Sequence, residues 1–464
     1  MNTDVFDAVV IGSGAAGMAA AQEIAARGGS VALIERAHYL GGECPNFACI
    51  PTKTLLKSAE LYTLIQHADQ FGLGAQAVKA DFRSIRAHLE TIVRQTGGRH
   101  LTADKLHAQG ITLVKGTARF IDAHTLDVEN HRLSARQFVI ATGVRPRVPL
   151  IPGLEKINYL TSHSILKLNK FPNSLIILGG GPVGIEYAQM MNAFGVDITL
   201  IQREGRILPR EDAEAAQLIT HQFERVGVTI VTNCLIENVA SEQEIISLRG
   251  RVNGQIQEYS AEQFMLASGQ EPSIDALGLE KIGVHTTDEA IVTDEHLRTT
   301  VPNIWAAGDV TGRMQYTHTA HYEGMIAGQN VAEKEKRRLD LTVVPRVVFT
   351  HLELASVGLT EAELEAKHRP HLVARADINS LGRALTDGTG EGFVKLLVDP
   401  QEGKILGSTI VSPRAGELIH EVALAMKVQA DVRQIADLIH AFPTYSEAIS
   451  SAAHRAVQTL KSRT

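Results

Sequence analysis

Cysteine is scarce in this sequence, with three residues among 464. So few cysteines exclude a disulfide scaffold, and a closely spaced pair is then a candidate for catalysis or metal binding. Long apolar runs are also missing, since the most apolar early stretch, Ala8–Ala21, is interrupted by three glycines. The first residues, Met1–Asp4, carry an acid where a signal peptide carries a base. We therefore expect a cytoplasmic protein without a targeting or membrane segment.

The sequence also lacks an excess of basic residues. Its net charge is −7 at pH 7, with 45 Lys and Arg against 52 Asp and Glu. Nucleic acids and anionic membrane surfaces are thus not expected as partners. A hydrophobic content of 44% is ordinary for a globular protein, and 464 residues are enough for about two to four domains.

The chain opens with a pattern typical of a dinucleotide-binding βαβ unit. In order, it contains a predicted strand (Phe6–Ile11), three glycines (Gly12, Gly14 and Gly17), a predicted helix (Met18–Arg27) and a second predicted strand (Ser30–Ile34). The glycines let a pyrophosphate approach the backbone at the helix N-terminus, and Glu35 can then hold a ribose hydroxyl. The alternative is a tight strand–helix turn without a ligand.

The same pattern recurs in the middle of the chain. It contains a predicted strand (Ser174–Leu178), three glycines (Gly179, Gly181 and Gly184), a predicted helix (Ile185–Phe194) and a second strand (Asp197–Ile201). Glu35 lies 18 residues after the third glycine of the first copy, and the equivalent position here is Gln202, followed by Arg203. An acid would repel a 2′-phosphate, whereas an arginine can pair with one. The second site is therefore predicted to bind NADP, the alternative being that its arginines form a solvated face.

Two of the three cysteines, Cys44 and Cys49, are separated by four residues and followed by Pro51 and Lys53. Pro51 suits the first turn of a helix, which would place Cys49 at a helix N-terminus, where free amides and the helix dipole favour a thiolate. Lys53 would lie one turn further along the same face. The pair is a candidate redox centre, and a metal site, a structural bridge or two buried free thiols are the alternatives. Cys234 stands alone in an apolar run and is expected to be an inert core thiol.

Weaker patterns organise the rest of the chain. Residues 57–109 are mostly helical in pattern, Ile111–Gln137 predicts a small antiparallel meander, and Val144–Gly153 has the composition of a linker. Asp309 follows a predicted strand, Val301–Ala307, where its carboxylate can meet a ligand hydroxyl or simply cap the strand end. The remaining segment predicts an α+β arrangement.

Together, these motifs resemble the class I pyridine nucleotide–disulfide oxidoreductases, the family of glutathione reductase, dihydrolipoamide dehydrogenase and mercuric reductase. The resemblance covers nearly the whole chain and rests on motifs in family order: Gly12–Gly17 with Glu35, Cys44–Lys53, Ala141–Gly143, Gly179–Glu186, Ala307–Asp309 and Phe442–Glu447. It implies an α/β fold with two Rossmann-like dinucleotide-binding domains and a C-terminal α+β dimerisation domain. The implied segments are 1–150 and 273–342 for FAD binding, 151–272 for NAD(P)H binding and 343–464 for the dimer interface.

The resemblance implies FAD on the first dinucleotide fold and NADPH on the second. Glu35 would take the adenosine ribose of FAD, Asp309 the ribityl chain, and the amides near Thr117 and Ala118 the adenine. The residues expected at FAD are Gly12, Gly14, Gly17, Glu35, Gly42, Lys53, Ala118, Thr142, Gly143, Asp309 and His318. The residues expected at NADPH are Gly179, Gly181, Gly184, Gln202, Arg203 and Gly269.

The resemblance also implies a path for the electrons, from NADPH to the flavin, then to a Cys44–Cys49 disulfide and on to a small-molecule acceptor. Cys49 would be the thiolate at the flavin, and Cys44 the thiol that meets the acceptor. Lys53 would lie beside the flavin and pair with Glu186. With Glu447, these residues form the expected catalytic set of a homodimeric enzyme without a metal site.

One position departs from the family pattern. Phe442 occupies the place of the histidine that serves glutathione reductase and dihydrolipoamide dehydrogenase as acid and base, while the accompanying acid, Glu447, is retained. Phenylalanine cannot carry a proton, and acid–base help is worth about 10²–10⁴ in rate. His440 lies two residues upstream and, on an extended segment, would share the face of Phe442 at a displacement of about 7 Å.

Mercuric reductase resembles the chain more closely here, because it also has Phe-Pro at this position. The sequence, however, contains neither the C-terminal cysteine pair nor the N-terminal metal-binding domain of that enzyme. We therefore expect a reductase for an electrophile or a disulfide. A dihydrolipoamide dehydrogenase that works with His440 or unaided is the second hypothesis, and a flavin-bound redox sensor without sustained turnover is the third.

Overall fold

Helices and strands alternate along most of the chain in the computed structural model, which describes residues 4–76, 78–96 and 101–462. The start of the acidic N-terminal segment, Met1–Thr3, lies outside these residues. The helices are α1 (Ala15–Ala26), α2 (Glu43–Asn46), α3 (Cys49–Gln66), α4 (Phe82–Thr96), α5 (Ala103–His107), α6 (Pro182–Ala193), α7 (Ala213–Arg225), α8 (Thr317–Ala332), α9 (Glu361–Ala366), α10 (Gly382–Thr386), α11 (Ala415–Lys427), α12 (Val432–Ala436) and α13 (Glu447–Lys461). Within the described ranges, none of them is both long and apolar enough to cross a bilayer.

The strands form one large sheet and several smaller ones. They are β1 (Asp4–Ile11), β2 (Val31–Glu35), β3 (Ile111–Lys115), β4 (Ala118–Asp122), β5 (Thr125–Val128), β6 (His131–Ile140), β7 (Val144–Pro146), β8 (Ser174–Leu178), β9 (Asp197–Ile201), β10 (Thr229–Val231), β11 (Cys234–Glu242), β12 (Ile245–Val252), β13 (Gln255–Ala261), β14 (Gln263–Leu266), β15 (Gln270–Pro272), β16 (Ile304–Ala306), β17 (Arg346–Val348), β18 (Glu353–Gly358), β19 (Leu372–Asp377), β20 (Phe393–Val398) and β21 (Ile405–Ser412).

The first sheet has the order β3-β2-β1-β6-β5-β4, and β16 returns from a distant part of the chain to pair in parallel with β6. Strands β1, β2, β3 and β6 run parallel, and β2 is buried along its whole length, as expected for a central parallel strand. The predicted meander is therefore wrong over Ile111–Lys115, which pairs in parallel with β2. Ile111 is fully buried there, so the apolar run that suggested a meander strand serves the parallel core instead.

Both dinucleotide-type helices begin one turn earlier than predicted. Helix α1 starts at Ala15 rather than Met18, and α6 starts at Pro182 rather than Ile185. The third glycine of each turn thus lies inside its helix, where a Cβ on Gly17 would be 1.8 Å from the carbonyl oxygen of Gly12. In the second copy, a Cβ on Gly184 would lie 1.9 Å from the carbonyl oxygen of Gly179. Only a residue without a side chain lets the helix approach the turn so closely.

The second dinucleotide-type sheet has the parallel order β10-β9-β8-β14, in agreement with the recurring pattern. An antiparallel sheet of β11, β12 and β13 was not predicted, because its strands are largely exposed and rich in polar residues. The predicted linker Val144–Gly153 begins as a strand, since β7 pairs with β15 where the chain leaves the first sheet and returns. Cys234 is 1% exposed, in agreement with a core thiol.

The C-terminal segment is an antiparallel sheet with the order β17-β18-β21-β20-β19, with helices α11 and α13 packed against it. Four of these strands lie where the sequence predicts them, at Val347–Phe349, Ala355–Val357, Gly392–Val398 and Ile405–Val411. Strand β19 was missed because Arg375 and Asp377 interrupt its apolar residues, which alternate between buried and partly exposed positions.

Helix α8 packs against α1 through glycines. A Cβ on Gly324 would lie 2.1 Å from the carbonyl oxygen of Ala16, and one on Gly328 would lie 2.7 Å from that of Ala20. The contact therefore allows no added atom unless the helices move apart. Such a movement would displace the helix whose N-terminus carries the first glycine turn.

We predict that Gly324→Ala destabilises the protein by about 1–3 kcal/mol, because overpacking forces the backbone to shift. Thermal and denaturant unfolding would measure the loss. Gly390→Ala is the matched control, since a Cβ there meets no atom within 4 Å, and its effect should stay within about 0.5 kcal/mol. Equal losses in the two variants would contradict the close α1–α8 packing.

Candidate active site

The first glycine turn leaves the N-terminus of α1 open to a ligand. Gly12 has a φ of +101°, and a Cβ on it would meet the carbonyl oxygen of Ala141 at 2.4 Å. Gly42 lies in the segment that contains the two cysteines (residues 42–53, the dithiol segment) and approaches the same turn. A Cβ on Gly42 would lie 2.7 Å from the Cα of Gly14. No side chain caps α1 at Gly14. The amides at this helix end are therefore available to a pyrophosphate.

Glu35 closes this turn at the end of β2. Ser13 donates to Glu35 Oε2 through its backbone amide at 3.0 Å and its hydroxyl at 2.7 Å. The amide of Ala37 donates to the other carboxylate oxygen at 2.7 Å. Glu35 is only 8% exposed, so the side chain is fixed beside the turn at the position expected of a ribose-binding acid.

Buried polar atoms without partners mark the rest of the expected FAD site. Among the described residues they include Asp309 Oδ1, Thr142 Oγ1 and Asn46 Oδ1. Burial, together with the charges of Cys49 and Glu43, raises the pKa of Asp309 to about 6. A buried polar group without a partner costs about 1–3 kcal/mol. A ligand with several hydroxyl groups and a polar ring, such as FAD, fits this set of atoms.

Two further expected FAD contacts have partners within the chain. The amide of Thr117 donates to Glu129 Oε1 at 3.2 Å, and Ala118 begins β4 in a buried position. His318 lies in the first turn of α8, and its Nε2 is 2.9 Å from the carbonyl oxygen of Pro345. Burial lowers the pKa of His318, which favours the neutral imidazole.

The second glycine turn repeats the first with a neutral residue in place of the acid. Gly180 donates its amide to Gln202 Oε1 at 2.8 Å. Arg203 is exposed and donates to Glu204 Oε1 at 2.9 Å, and this hydrogen bond lowers the pKa of Glu204. Glu204 was missed because only the equivalent of Glu35 and the arginines after it were considered. Glu204 places an acid next to the predicted 2′-phosphate site.

Other residues expected at NADPH surround this turn. Gly179 has a φ of +119°, and a Cβ on Gly181 would meet no atom within 4 Å, so the turn is open above α6. Gly269 follows β14 with a φ of +107° and is equally open, as is Gly143 at the end of the first sheet. Arg206 has a buried Nη1 without a partner within the described chain, which leaves a donor for an anion.

The two cysteines differ in their protonation. Cys49 is the first residue of α3, as predicted, and its Sγ lies 3.3 Å from the hydroxyl of Thr317. A hydrogen bond from Cys44, the hydroxyl of Thr317 and the charge of Lys53 lower the pKa of Cys49 to about 6. The same hydrogen bond and burial raise the pKa of Cys44. These shifts favour the thiolate at Cys49 and the thiol at Cys44.

Lys53 is held by a carboxylate from another part of the chain. Its Nζ lies 2.8 Å from Glu186 Oε2 and 4.4 Å from the ring centroid of Phe349. Glu186 Oε1 accepts the backbone amide of Phe349 at 3.1 Å. The expected pair of Lys53 and Glu186 is thus present, and Phe349 is a neighbour that no motif in the sequence indicated.

A histidine also contacts the dithiol segment from the second nucleotide domain. His163 Nε2 forms a short hydrogen bond with Glu43 Oε2, and its ring stacks on Phe47 with centroids 4.7 Å apart. Glu43 directly precedes Cys44, and Phe47 lies between the two cysteines. Sequence spacing offers no signal for this contact, because its partners are 120 residues apart.

In the C-terminal motif, His440 does not share a face with Phe442, although this was expected for an extended segment. The side chain of His440 is 8% exposed, with Nε2 2.9 Å from Glu421 Oε1 and Nδ1 3.0 Å from the carbonyl oxygen of Leu438. Phe442, in contrast, is 80% exposed, so the two residues do not share a face. Glu447 begins α13 and accepts the amide of Thr444 at 2.8 Å.

The family models for this type of protein match the chain in two adjoining segments. Residues 6–324 match the pyridine nucleotide-disulphide oxidoreductase family, and residues 344–453 match the dimerisation domain of the same family. The chain belongs to the pyridine nucleotide-disulphide oxidoreductases. It is therefore an FAD-dependent oxidoreductase that uses a pyridine nucleotide, and its α/β fold is the one expected for the class.

Named relatives within this family have different activities. The chain is 34% identical to a mercuric reductase of Staphylococcus aureus, over 97% of this chain and 82% of the relative. It is also 34% identical to a dihydrolipoyl dehydrogenase of Bacillus subtilis, over 97% of each chain. A similar solved structure is the HOCl-induced flavoprotein disulfide reductase RclA from Escherichia coli, with a TM-score of 0.86, 29% identity and coverage of 97% of this chain and 99% of that one.

We predict that iodoacetamide alkylates Cys49 of this oxidoreductase faster as the pH rises through about 6, because the thiolate is the nucleophile. Thr317→Val removes a hydrogen bond to the thiolate and should shift the midpoint upward. Peptide mass analysis would separate Cys49 from Cys44, which should react only at higher pH. Cys234, buried and with a raised pKa, serves as the internal control. A midpoint for Cys49 near its ordinary thiol value would contradict the assignment of the thiolate.

Proposed function

We propose that the protein is a reductase that takes electrons from NADPH and passes them through FAD and the Cys44–Cys49 pair to an electrophilic or disulfide acceptor, without the usual C-terminal histidine. The observation that carries this proposal is the polarised dithiol. Cys49 has the low pKa of a thiolate beside Lys53 and Thr317, whereas Cys44 keeps its proton. Such a division is expected when one sulfur faces an electron donor and the other an acceptor.

The first dinucleotide fold would hold FAD. Glu35 and the amides at the start of α1 would bind its ribose and pyrophosphate, and Asp309 would accept a hydroxyl of its ribityl chain. When bound, FAD supplies two-electron transfer between a nicotinamide and a disulfide. Lys53, held by Glu186, keeps a positive charge beside the thiolate of Cys49.

The cysteine pair can supply the first proton that reduction of a disulfide acceptor requires. Interaction between the two sulfurs lowers the pKa of Cys49 and raises that of Cys44, so Cys44 attacks the acceptor as a thiol whose proton passes to the first thiolate that leaves. Attack on a disulfide acceptor forms a mixed disulfide and releases one thiolate; attack by the other cysteine then closes the Cys44–Cys49 disulfide and releases the second. The first released thiolate takes the proton of Cys44, and the second takes its proton from water.

The NADPH preference is supported by the second glycine turn. Gln202 takes the structural place of Glu35 without its charge, and Arg203 and Arg206 follow it with donors for a phosphate. Glu204 opposes this preference, although its charge is paired with Arg203. The balance of these side chains sets the choice of coenzyme.

We predict that Gln202→Glu with Arg203→Ala shifts the preference toward NADH, since an acid then meets the 2′-phosphate and a donor is lost. The ratio of kcat/KM for NADPH to that for NADH should fall by about tenfold or more. Glu204→Gln should raise the same ratio. Ratios that do not change in either variant would reject the NADP assignment.

The phenylalanine at position 442 favours an acceptor whose reduction does not require protonation of a leaving group. Phe442 is 80% exposed and cannot donate a proton. A metal ion bound by thiolates is an acceptor of this type, whereas a quinone, a hypohalous-acid derivative or a reactive disulfide would take its protons from water. The names of two relatives, a mercuric reductase and an HOCl-induced disulfide reductase, are in keeping with such acceptors.

The second hypothesis, a dihydrolipoamide dehydrogenase, has support from the names of several relatives. It would need acid–base help from His440 or none at all. His440 uses both ring nitrogens within its own segment and α11, which argues against that role. A redox sensor, the third hypothesis, would reduce its dithiol once without sustained NADPH oxidation.

Anaerobic titration of the FAD-loaded protein with NADPH, followed by glutathione disulfide, lipoamide, Hg²⁺ and a quinone, tests the proposal. We predict sustained oxidation of NADPH with at least one acceptor and a thiolate–flavin charge-transfer band in the wild type. Cys49→Ser should abolish both. His440→Ala should leave turnover within about threefold, because acid–base catalysis is worth far more than that. Loss of lipoamide turnover in His440→Ala would favour the second hypothesis.

The domain boundaries expected from the sequence are part of the same proposal. The return of β16 to the first sheet supports 273–342 as a second FAD-binding segment, with 1–150 as the first and 151–272 as the NADPH domain. The match of residues 344–453 to a dimerisation domain supports 343–464 as the interface of a homodimer.

A further inference from the structure

The segment that carries the coenzyme-discriminating residues is anchored at its far end in the C-terminal domain. It runs from Gln202, directly after β9, to Asp212, the N-cap of α7. Its last two residues, Glu211 and Asp212, are 7% and 4% exposed. Two adjacent carboxylates are rarely buried without cationic partners, and both find these partners on the C-terminal sheet.

Glu211 contacts the first two strands of that sheet. Ser356, on β18, donates its hydroxyl to Glu211 Oε2 at 2.6 Å and is itself 1% exposed. Arg346, on β17, places Nε 3.5 Å from Glu211 Oε1. Both oxygens of this carboxylate are therefore engaged from the other domain.

Asp212 contacts a lysine on the same sheet, two strands away from β18. Lys395, on β20, places Nζ 3.0 and 3.2 Å from the two oxygens of Asp212. The same ammonium lies 2.9 Å from Glu214 Oε2 and 3.4 Å from Glu361 Oε2, with a side chain that is 6% exposed. Asp212 also accepts the amides of Glu214 and Ala215, so the lysine holds the residue that starts α7.

Each buried charge in this network depends on a partner of opposite sign. Burial opposes the charge of Lys395, but Glu214 and Asp212 outweigh it and raise the pKa of the lysine. Removal of one partner from a buried pair leaves an uncompensated charge, so such pairs define a relative position more than they add stability.

Gln202 is buried, but the two side chains that follow it are exposed. Arg203 is 77% exposed, and its partner Glu204 is 42% exposed. Their positions thus depend on the backbone of the segment, which is tied at its near end to Gly180 through Gln202 and Leu208. In the middle of the segment, Ile207 and Leu208 are buried, and its far end is held where Glu211 and Asp212 contact the C-terminal domain. An ordered segment avoids the entropy cost of fixing it when a nucleotide binds.

We propose that Lys395 and Ser356 are positioning residues for coenzyme binding, which act from the C-terminal domain through Asp212 and Glu211 to fix segment 202–212. They set the affinity for the nucleotide and the discrimination between NADP and NAD. This inference rests on the proposed function, in which the segment binds the adenosine end of the coenzyme. The C-terminal domain then has a role in nucleotide recognition in addition to dimerisation.

Isothermal titration of the FAD-loaded protein with NADP⁺ and NAD⁺ tests this role. Lys395→Met keeps the apolar stem and removes the charge, and we expect the Kd for NADP⁺ to rise about tenfold. Ser356→Ala should produce a smaller rise in the same direction. The Kd for NAD⁺ should change less in both, because the loosened arginines matter most for the 2′-phosphate. Lys404→Met is the matched control, since Lys404 pairs with Glu402 on the surface of the same domain, and its affinities should not change.

Two other measurements separate positioning from general damage. FAD content and the pH profile of Cys49 alkylation should stay at wild-type values in all three variants. If Lys395→Met fails to fold, Ser356→Ala decides the question. Wild-type affinities in Ser356→Ala and Lys395→Met, or equal losses for NADP⁺ and NAD⁺, would overturn the inference. A wild-type protein that binds neither nucleotide would overturn the proposed function, and this inference with it.

Discussion

A buried carboxylate, Glu186, is the point at which three parts of the structure meet. It lies on α6 of the second nucleotide domain, binds Lys53 of α3 and accepts the amide of Phe349 from the C-terminal domain. Because Glu186 is only 6% exposed, its charge depends on protein partners instead of water. The lysine beside the dithiol is therefore held by contacts that join α3, α6 and the segment that contains Phe349.

The electrostatics of the dithiol follow from this assembly. Helix α3 and Lys53 provide positive potential to Cys49 from one side, and Thr317 reaches it from α8. Asp309, in contrast, is close enough to sense the thiolate, and burial and this charge raise its pKa. The site thus combines a stabilised anion with a carboxylate that is easily protonated, and the polar atoms between them fit a large hydroxylated ligand.

The sequence predicts those parts of the site that depend on local backbone chemistry. Glycine at positions 12 and 17 is required by close backbone contacts, and Pro51 correctly indicates the helix that starts at Cys49. Thr317 and His163 could not be predicted in the same way, since they reach the dithiol segment from 268 and 120 residues away. The error at β3 has a similar origin, because a short apolar run does not show whether a strand pairs in parallel or antiparallel.

The two glycine turns also separate two tasks of the residue at the end of the second strand: it closes the turn by accepting an amide, and its charge faces the ligand. Glu35 accepts the amide of Ser13, and Gln202 accepts the amide of Gly180 with almost the same geometry, at 3.0 and 2.8 Å. The closure of the turn therefore needs only an acceptor oxygen, which a neutral amide provides as well as a carboxylate. The negative charge is free to change with the ligand, so a duplicated unit can acquire a new coenzyme without losing the architecture that holds it.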